Sequence, residues 1–369
     1  MTEREAYSAL NLLPGIGPVT VRNLAQALGS VAAIFSAPAD ELLKAQGVGR
    51  ELGAKIAAAR GAADPAAEEA RAAALGARIV TRVDAEYPAR LATIHDPPLA
   101  LYVRGTLESR DTHAIAVVGS RSISHYAREV AERLSARLAQ CGLTIVSGLA
   151  RGLDTAAHRG ALAGGGRTLA VLGGALDCFY PEENRALGDE IAAHGALLSE
   201  YPMGRAPDRT TFPYRNRVVS GLSLGVVVVE CRTTSGAMIT AAQAMEQGRT
   251  VFAVPGRVDM PGARGPHRLI RDGARLVESA DDILEELEQL LPAAARTQAA
   301  AVSRPTPTFG ADEQRVLDIL ENEGELDVDA LVRRLNVPAG TLGALLIGLE
   351  IKRAVRMLPG RRVARVTAK

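Results

Sequence analysis

Between residues 113 and 290, short apolar runs alternate with amphipathic stretches. The runs are nearly continuous, and they read AIAVVGS, TIVSGLA, RTLAVLG, ALLSEYP, GVVVVEC and TVFAVPG. Strands that are covered on both faces of a parallel sheet have this pattern. Helical spacing follows several runs, as in Val130, Leu134 and Leu138. Repeated βα units predict an α/β fold with an extended Rossmann-type, doubly wound and mostly parallel sheet.

A weak internal repeat precedes this region. LPGIGPVTVRNLAQAL and AQGVGRELGAKIAAA share a Gly-hydrophobic-Gly turn, first at Gly15 and Gly17 and then at Gly47 and Gly49. Glycine permits tight backbone geometry between two short helices. The repeat predicts a tandem helix-hairpin-helix, or SAM-like, domain over residues 1–62. Such a module either offers backbone N–H groups to a DNA phosphate or packs against protein, and its near-neutral charge leaves both open.

The segments on either side of the α/β region complete the predicted domains. The α/β domain is expected over residues 63–290, entered through the strand-like ARIVTRV and through YPARLATIHDPPLALYVRG, whose prolines argue against a regular element. Residues 291–310 have the composition of a linker. Residues 311–369 predict three helices and a strand pair that turns at Pro359 and Gly360, which is the order of a winged helix.

Composition limits where a nucleic-acid surface could lie. Lys and Arg number 43 against 42 for Asp and Glu, so any basic surface must be local. Only four of the basic residues are lysine, which suits bidentate phosphate contacts but is also what a GC-rich genome would produce. The wing is the most basic segment, and contact with duplex DNA or with protein is equally open. Its basic residues are Lys352, Arg353, Arg356, Arg361, Arg362, Arg365 and Lys369.

Localisation and metal binding follow from simple counts. Cys141, Cys178 and Cys231 are too far apart for a paired metal motif and suit reduced thiols. The first residues lack the apolar core of a signal peptide, and no apolar run is long enough to span a bilayer. We therefore expect a cytoplasmic protein with no metal and no membrane partner.

The loops that follow the predicted strands carry the candidate chemistry, because ligands of open α/β sheets bind at the carboxyl ends of the strands. Glycine and serine there let backbone N–H groups approach a phosphate, and arginine adds a bidentate charge. Neither GxGxxG nor GxxxxGK[ST] is present, so no nicotinamide or ATP cofactor is expected. The residues of these loops are Gly119, Ser120, Arg121, Ser147, Gly148, Arg151, Arg205, Arg209, Phe212, Arg215, Asn216, Arg217 and Arg232.

Phe212 says more than the arginines do about which phosphate-bearing ligand these loops bind. A ring in a cationic loop can stack a base while arginines follow the backbone, which favours single strands. Alternatively, Phe212 fills the core while Arg215 and Arg217 pair with acids such as Asp208 or Glu200.

Catalytic residues are not evident in this sequence. His158 has no adjacent nucleophile at a recognisable spacing, which favours packing over general-base chemistry. Asp154 is expected to cap a helix. Glu200 and Glu230 stand at strand ends without a partner carboxylate.

Long motifs in this chain resemble the DNA-processing protein A family (DprA, also called Smf) from about residue 113 to 285. The quoted segments are VGSRSIS, IVSGLARGLDTAAHRGAL, TLAVLGGALDCFYPEEN, LLSEYPMG, FPYRNRVVSGLS, SGAMITAAQAMEQGRTVFAVPG and LIRDGARLV. The resemblance implies an extended Rossmann fold, a homodimer, single-stranded DNA binding without strong sequence preference, and loading of RecA onto that DNA in natural transformation. It also leaves room for other single-strand-binding proteins as partners, and it implies no catalysis.

The resemblance further implies a DNA pocket made by Arg121, by Arg209 and Phe212, and by Arg215, Asn216 and Arg217 of FPxRNR. Arg167 stands where relatives have a lysine, although it begins a strand rather than ending one. The chain departs from the family at GARGPHRLI. Relatives often have an asparagine shortly before the LI pair, where this chain has Pro266 and His267.

The alternative function is that of a phosphoribohydrolase, a Rossmann-type enzyme that cleaves nucleotides. Its PGGxGT signature is missing from TTSGAMITAAQA.

Overall fold

The computed structural model describes residues 1–288, 309–351, 354–358 and 362–365. The described residues up to 288 form one compact unit, and those from 309 onward form a second. The predicted linker, the turn at Pro359 and Gly360, and the basic residues Lys352, Arg353, Arg361 and Lys369 lie largely or wholly outside the described residues.

The amino-terminal helices repeat one turn geometry. Gly15 and Gly47 both have φ of 80°, a conformation that side chains with a Cβ rarely adopt. Two residues later, Gly17 and Gly49 are the N-caps of the helices that follow. The helices are α1 Glu3–Asn11, α2 Pro18–Leu28, α3 Ala33–Ser36, α4 Ala39–Leu42 and α5 Arg50–Ala59. The sequence repeat is therefore a structural repeat, and this part of the fold prediction is confirmed.

A nine-stranded sheet forms the centre of the larger unit. Its order is β1-β2-β6-β5-β4-β3-β7-β8-β9, in which β3 to β9 run parallel and β1 and β2 are antiparallel at one edge. Apolar clusters cover both faces, as the continuous apolar runs predict. The strands are β1 Ala77–Thr81, β2 Ala100–Gly105, β3 Ala114–Val118, β4 Thr144–Ser147, β5 Thr168–Val171, β6 Ala196–Ser199, β7 Gly225–Val228, β8 Thr250–Ala253 and β9 Arg275–Leu276.

Helices connect these strands and pack on the two faces. They are α6 Pro65–Ala74, α7 Ala89–Ala92, α8 His125–Gln140, α9 Leu153–Ala163, α10 Arg185–His194, α11 Thr211–Gly221, α12 Gly236–Glu246, α13 Arg264–Arg271 and α14 Ala280–Glu288, with 3-10 turns at Ser109–Thr112, Glu182–Asn184 and Pro261–Ala263.

One prediction for the entry segment is wrong. The proline-rich stretch was expected to lack regular structure, yet it contains α7 and β2. Pro97 and Pro98 end just before the strand, so ALYVRG keeps every backbone N–H that a ladder needs. Tyr102 within it is fully buried and donates its hydroxyl hydrogen bond to Glu68 at 2.8 Å.

The strand order fixes where a ligand could bind. The chain runs from β3 outward to β6 and then returns to place β7 on the other side of β3. The connections therefore diverge between β3 and β7, which leaves a crevice at the carboxyl ends of these two strands.

The second unit has the order of elements expected of a winged helix. Helices Ala311–Glu323, Val328–Leu335 and Ala339–Ile351 are followed by strands Val355–Leu358 and Arg362–Arg365, which pair with each other. Arg362–Arg365 also pairs with a short strand Leu326–Asp327. Within the described residues, no single helix is long and apolar enough to cross a bilayer; Val328–Leu335 and Gly340–Glu350 meet that test only as a pair bent by 113°.

Candidate nucleic-acid interface

A cleft of 340 Å³ opens at the carboxyl edge of the sheet, beside the crevice between β3 and β7. It brings together residues from the loops after β3, β4 and β7 and from the first turns of α11 and α12. Its lining includes Gly119, Ser120, Arg121, Gly148, Asp154, Phe212, Arg215, Asn216, Arg232, Thr234 and Ser235. Eight of the thirteen loop residues that the sequence singled out thus meet in one cleft: Gly119, Ser120, Arg121, Gly148, Phe212, Arg215, Asn216 and Arg232.

Helical spacing on α11 explains which residues face the cleft. Phe212, Arg215 and Asn216 are related as i, i+3 and i+4 and share one face of the helix. Asp208 fixes the start of α11, since its carboxylate accepts hydrogen bonds from the backbone N–H of Thr210 at 2.7 Å and of Thr211 at 3.0 Å. The same carboxylate pairs with Arg205.

Arg215 is the buried cation of the cleft. Its side chain reaches over the turn after β4, where Nη1 donates to the carbonyl oxygens of Gly148 and Val171. A Cβ at Gly148 would lie 2.2 Å from that Nη1, so only glycine leaves room for the guanidinium. Glycine is therefore needed here for space.

Asp154 balances this cation from below. Its carboxylate accepts hydrogen bonds from the backbone N–H groups of Gly148 at 3.2 Å and Ala150 at 3.3 Å, so it holds the turn after β4. The expected helix cap is wrong, because the N-cap of α9 is Gly152 and no described side chain caps that helix. Burial raises the pKa of Asp154, and the nearby Arg215 opposes that rise. Burial likewise lowers the pKa of Arg215, against the attraction of Asp154. Each group therefore stabilises the charged form of the other in the interior.

Two neighbouring aromatic rings lie between two arginines along the mouth of the cleft. The guanidinium of Arg121 lies 4.8 Å from the centre of the half-exposed Phe212 ring. Phe212 lies 6.1 Å from Tyr180, which in turn lies 5.7 Å from the guanidinium of Arg151. One edge of Phe212 packs against Gly173, where a Cβ would approach the ring to 2.6 Å. Phe212 is thus supported from beneath but remains accessible.

The first turn of α12 supplies backbone donors to the same cleft. Thr234, Ser235 and Gly236 line it, and the Ser235 hydroxyl accepts a hydrogen bond from the N–H of Ala237 at 3.4 Å. The partial positive charge at a helix N-terminus favours an anion there. Arg232, which is exposed, stands at the entrance to this turn.

The structure does not bring Arg167 to the cleft. Arg167 precedes β5, so it lies at the amino edge of the sheet, where Nε and Nη2 donate to Asp111 at 2.9 Å and Nη1 donates to Glu108 at 2.7 Å. Only 7% of its side chain is exposed. The structure therefore separates Arg167 from the predicted residues that line the cleft, and its charge is paired with acids on the far side of the sheet.

Arg217 also lies outside the cleft lining. It stands two residues after Arg215, so it projects from the opposite face of α11. Its guanidinium is buried and pairs with Glu200 and, at 3.1 Å, with Asp96. Arg217 therefore satisfies the ion-pair alternative, while Arg215 does not.

The remaining predicted residues lie near the cleft or beneath it. The hydroxyl of buried Ser147 donates to the carbonyl of Val117 at 2.7 Å, so it supports the turn from below. Arg209 is exposed before α11 and does not line the cleft. Arg151 borders a small adjoining pocket beside Tyr180 and Phe212.

The possible catalytic groups are occupied elsewhere. His158 is buried against Thr168, whose hydroxyl is 2.7 Å from Nδ1, and burial lowers the pKa of His158 to about 3. Glu200 pairs with Arg217, and the carboxylate of Glu230 accepts hydrogen bonds from Ser124.

In the GARGPHRLI segment, where the chain departs from the family, Nε2 of His267 lies 3.0 Å from the carbonyl oxygen of Gly256, away from the cleft lining.

Comparison with known families accounts for the three predicted parts of the chain. The model for DNA recombination-mediator protein A matches residues 78–288, a SAM-like helix-hairpin-helix tandem matches 8–60, and the DprA winged helix domain matches 295–361. The first match alone covers more than half of the chain.

The chain belongs to the DNA recombination-mediator protein A family.

Relatives agree with this assignment. The DNA processing protein DprA of Bacillus subtilis is 45% identical over 206 residues, which cover 55% of this chain and 69% of the relative. Protein Smf of Synechocystis is 37% identical over 290 residues, covering 78% and 73%. Membership in the DprA family gives the chain a DNA-processing, recombination-mediator role.

Solved structures of the family have the same fold. The crystal structure of DNA processing protein A from Streptococcus pneumoniae aligns with a TM-score of 0.69 at 35% identity, over 78% of this chain and 98% of that one. The protein from Helicobacter pylori aligns with a TM-score of 0.53 at 30% identity, over 58% and 97%. The H. pylori DprA binds single-stranded DNA.

Proposed function

We propose that this DprA-family protein binds single-stranded DNA in the cleft at the carboxyl edge of its sheet, without catalysing a reaction. We further propose that it acts as a cytoplasmic homodimer that protects incoming DNA and loads RecA onto it in natural transformation. The observation that carries the DNA-binding proposal is the pairing of an unneutralised arginine, Arg121, with the accessible ring of Phe212 at the cleft mouth.

The cleft mouth suits unpaired bases. Arg121 is exposed and forms no ion pair with any described residue, so its full charge is available to a phosphate. Base stacking on an aromatic side chain is worth about 1–3 kcal/mol, more than the roughly 0.5–1 kcal/mol of an exposed cation–π contact. A base can therefore displace Arg121 from the ring, and the freed guanidinium can turn to the backbone. Bases in a duplex are not available for this exchange.

The cleft floor suits the backbone of the strand. Arg215, Arg232 and the N–H groups at the start of α12 converge on one space. Together they offer charge and oriented donors to phosphate oxygens without reading base edges. Such contacts bind DNA with little sequence preference.

The absence of catalysis is supported by how the candidate groups are used. Glu200 and Glu230 are held by Arg217 and Ser124, and His158 stays neutral in the interior. A hydrolase would need a general base in reach of its substrate. These contacts favour a binding role over the phosphoribohydrolase alternative.

The domain limits and the partners belong to the same proposal. We propose domain boundaries at residues 62, 290 and 310.

RecA loading is tested by measuring RecA ATP hydrolysis on DNA that is already coated with a single-strand-binding protein. A faster onset of hydrolysis when the DprA-family protein is added supports loading, and an unchanged onset argues against it.

Arg121→Ala is expected to weaken binding to an oligothymidylate roughly 10- to 100-fold, since a hydrogen bond to a charged group is worth about 1.5–3 kcal/mol. Fluorescence anisotropy at several salt concentrations measures this. The slope of log affinity against log salt should become shallower by about 0.7, the contribution of one phosphate contact in a single strand.

Arg137→Ala is the matched control. Arg137 ends α8, which runs from the carboxyl edge back to the amino edge, and it lies 3.9 Å from Asp281. Removing this arginine changes the net charge equally but should leave DNA affinity within about twofold, because a distant exposed charge contributes little. Equal losses in the two variants would mean that total charge, and not the cleft, binds the strand.

A further inference from the structure

A row of two rings between two cations continues past the cleft mouth. We call Arg121, Phe212, Tyr180 and Arg151 the cation–aromatic row, with successive separations of 4.8, 6.1 and 5.7 Å. Its first two members flank the cleft described above. Its last two come from the loops after β5 and β4, so the row leads away from the crevice along the carboxyl edge of the sheet.

Tyr180 is exposed although the surrounding loop is well packed. Its residue is 42% exposed, while the neighbouring Pro181 is buried and Phe179 packs against Gly188. The loop thus buries the residues on either side wholly or in part and leaves this ring outside. An aromatic ring that faces solvent beside a second accessible ring can stack a base, which would displace the Arg151 guanidinium that lies 5.7 Å from the ring centre.

Arg151 fixes the far end of the row. Its Nη2 donates to Glu183 at 2.9 Å, and its Nη1 lies 3.4 Å from the Tyr180 hydroxyl. This ion pair neutralises Arg151, whereas Arg121 at the other end keeps its charge. The attraction for phosphates is therefore strongest at the cleft and fades toward Tyr180, where the Glu183 carboxylate disfavours a backbone phosphate.

The geometry of the two rings requires bases that are separated. Tyr180 and Phe212 are tilted by 53° with their centres 6.1 Å apart. Bases stacked in a duplex are about 3.4 Å apart and parallel. One base cannot lie flat on both rings, so each ring serves a different base of an unstacked strand.

We propose that Tyr180 is a second base-stacking position, one step beyond Phe212, so that the single strand leaves the cleft over the loops that follow β4 and β5. The inference rests on the proposed function of the cleft. The ligand of this exit path is an unpaired and unstacked polynucleotide. Tyr180 would contribute to the affinity for that strand but not to sequence specificity.

Tyr180→Ala tests this position in the full chain. We expect about tenfold weaker binding of an oligothymidylate of about 20 nucleotides, the effect of losing one stacked base. Tyr180→Phe keeps the ring and loses only the hydroxyl, so it should bind nearly as tightly as the wild type. Tyr126→Ala removes another exposed tyrosine, one that is 53% exposed and lies outside the row and the cleft lining, and should have no effect.

The outcomes distinguish this inference from the proposed function. If Phe212→Ala and Arg121→Ala weaken binding but Tyr180→Ala does not, the exit path is wrong and the cleft remains. If Tyr180→Phe loses as much as Tyr180→Ala, the hydroxyl rather than stacking is responsible, and the stacking role is overturned. If Phe212→Ala and Arg121→Ala also bind normally, the cleft itself is not the DNA site.

Discussion

Arg215→Met is expected to lower the free energy of unfolding by about 3–5 kcal/mol and to remove most of the affinity for single-stranded DNA. The loss of stability follows because Asp154 would keep a buried charge with no cation opposite it. The loss of affinity follows because Arg215 lines the cleft floor. Urea unfolding followed by circular dichroism, together with anisotropy titration below the unfolding midpoint, measures the two effects separately.

Arg215→Met with Asp154→Asn separates the structural role from the binding role. The double variant has no unpaired buried charge, so it should recover much of the lost stability, yet its DNA affinity should stay low. Recovery of both would show that Arg215 acts only through the fold.

The pH dependence of the stability of Arg215→Met also tests the structural role of Arg215 opposite Asp154. Burial already raises the pKa of Asp154, and without Arg215 the largest opposing influence is lost, which leaves only the hydrogen bonds from the turn to oppose that rise. An acid whose folded pKa lies above its unfolded value destabilises the folded state once the pH exceeds the unfolded pKa, about 3.9 for Asp. The wild type shares this loss until the pH passes its own folded pKa for Asp154. The variant should therefore lose stability relative to the wild type as the pH rises above that wild-type folded pKa. An unchanged stability difference between pH 4 and 7 would contradict this account of Asp154.

Arg167→Met should destabilise the protein by a similar amount, about 3–5 kcal/mol, because it leaves Asp111 buried and uncompensated beside Glu108. Its DNA affinity, measured on folded protein, should equal that of the wild type. The two arginine variants thus form a matched pair with equal structural cost and opposite effects on binding. A large loss of affinity in Arg167→Met would return this residue to the DNA site.

The parallel core and its carboxyl edge could be predicted from the sequence because their signals are local. Continuous apolar runs mark strands that are covered on both faces, and the chain order of the loops then places Gly119, Arg121 and Arg215 at one edge. Strand β2 was missed because Pro97 and Pro98 precede it directly, and β9 because two residues give no periodic signal.

The arginines show where sequence reasoning stops. The separation of Arg215 from Arg217 by two residues already places them on opposite faces of a helix, once FPYRNR is known to be helical. Which acid each arginine meets depends on tertiary contacts: the sequence offered Glu200 as one candidate without assigning it to Arg217, and Asp96 is distant in sequence. The hydrogen bonds that Arg215 donates to the carbonyl oxygens of Gly148 and Val171 could likewise not be predicted from the sequence pattern.

Tyr180 was overlooked for a related reason. It lies in TLAVLGGALDCFYPEEN, a segment that was noted only for its family resemblance. Its position after a strand on the ligand-binding edge was a usable signal, because an aromatic residue beside arginine-bearing loops is a candidate stacking surface. Its distance from Phe212 required the fold.

Photochemical cross-linking to bromodeoxyuridine oligonucleotides tests the central claim most directly, since it reports which residues an unpaired base contacts. After tryptic digestion of the full chain, the account predicts an adduct on residues 210–215, the peptide that carries Phe212, and predicts its loss when Arg121 is replaced by alanine. Adducts confined to residues 1–62 or 311–369, with none at the cleft, would contradict the account.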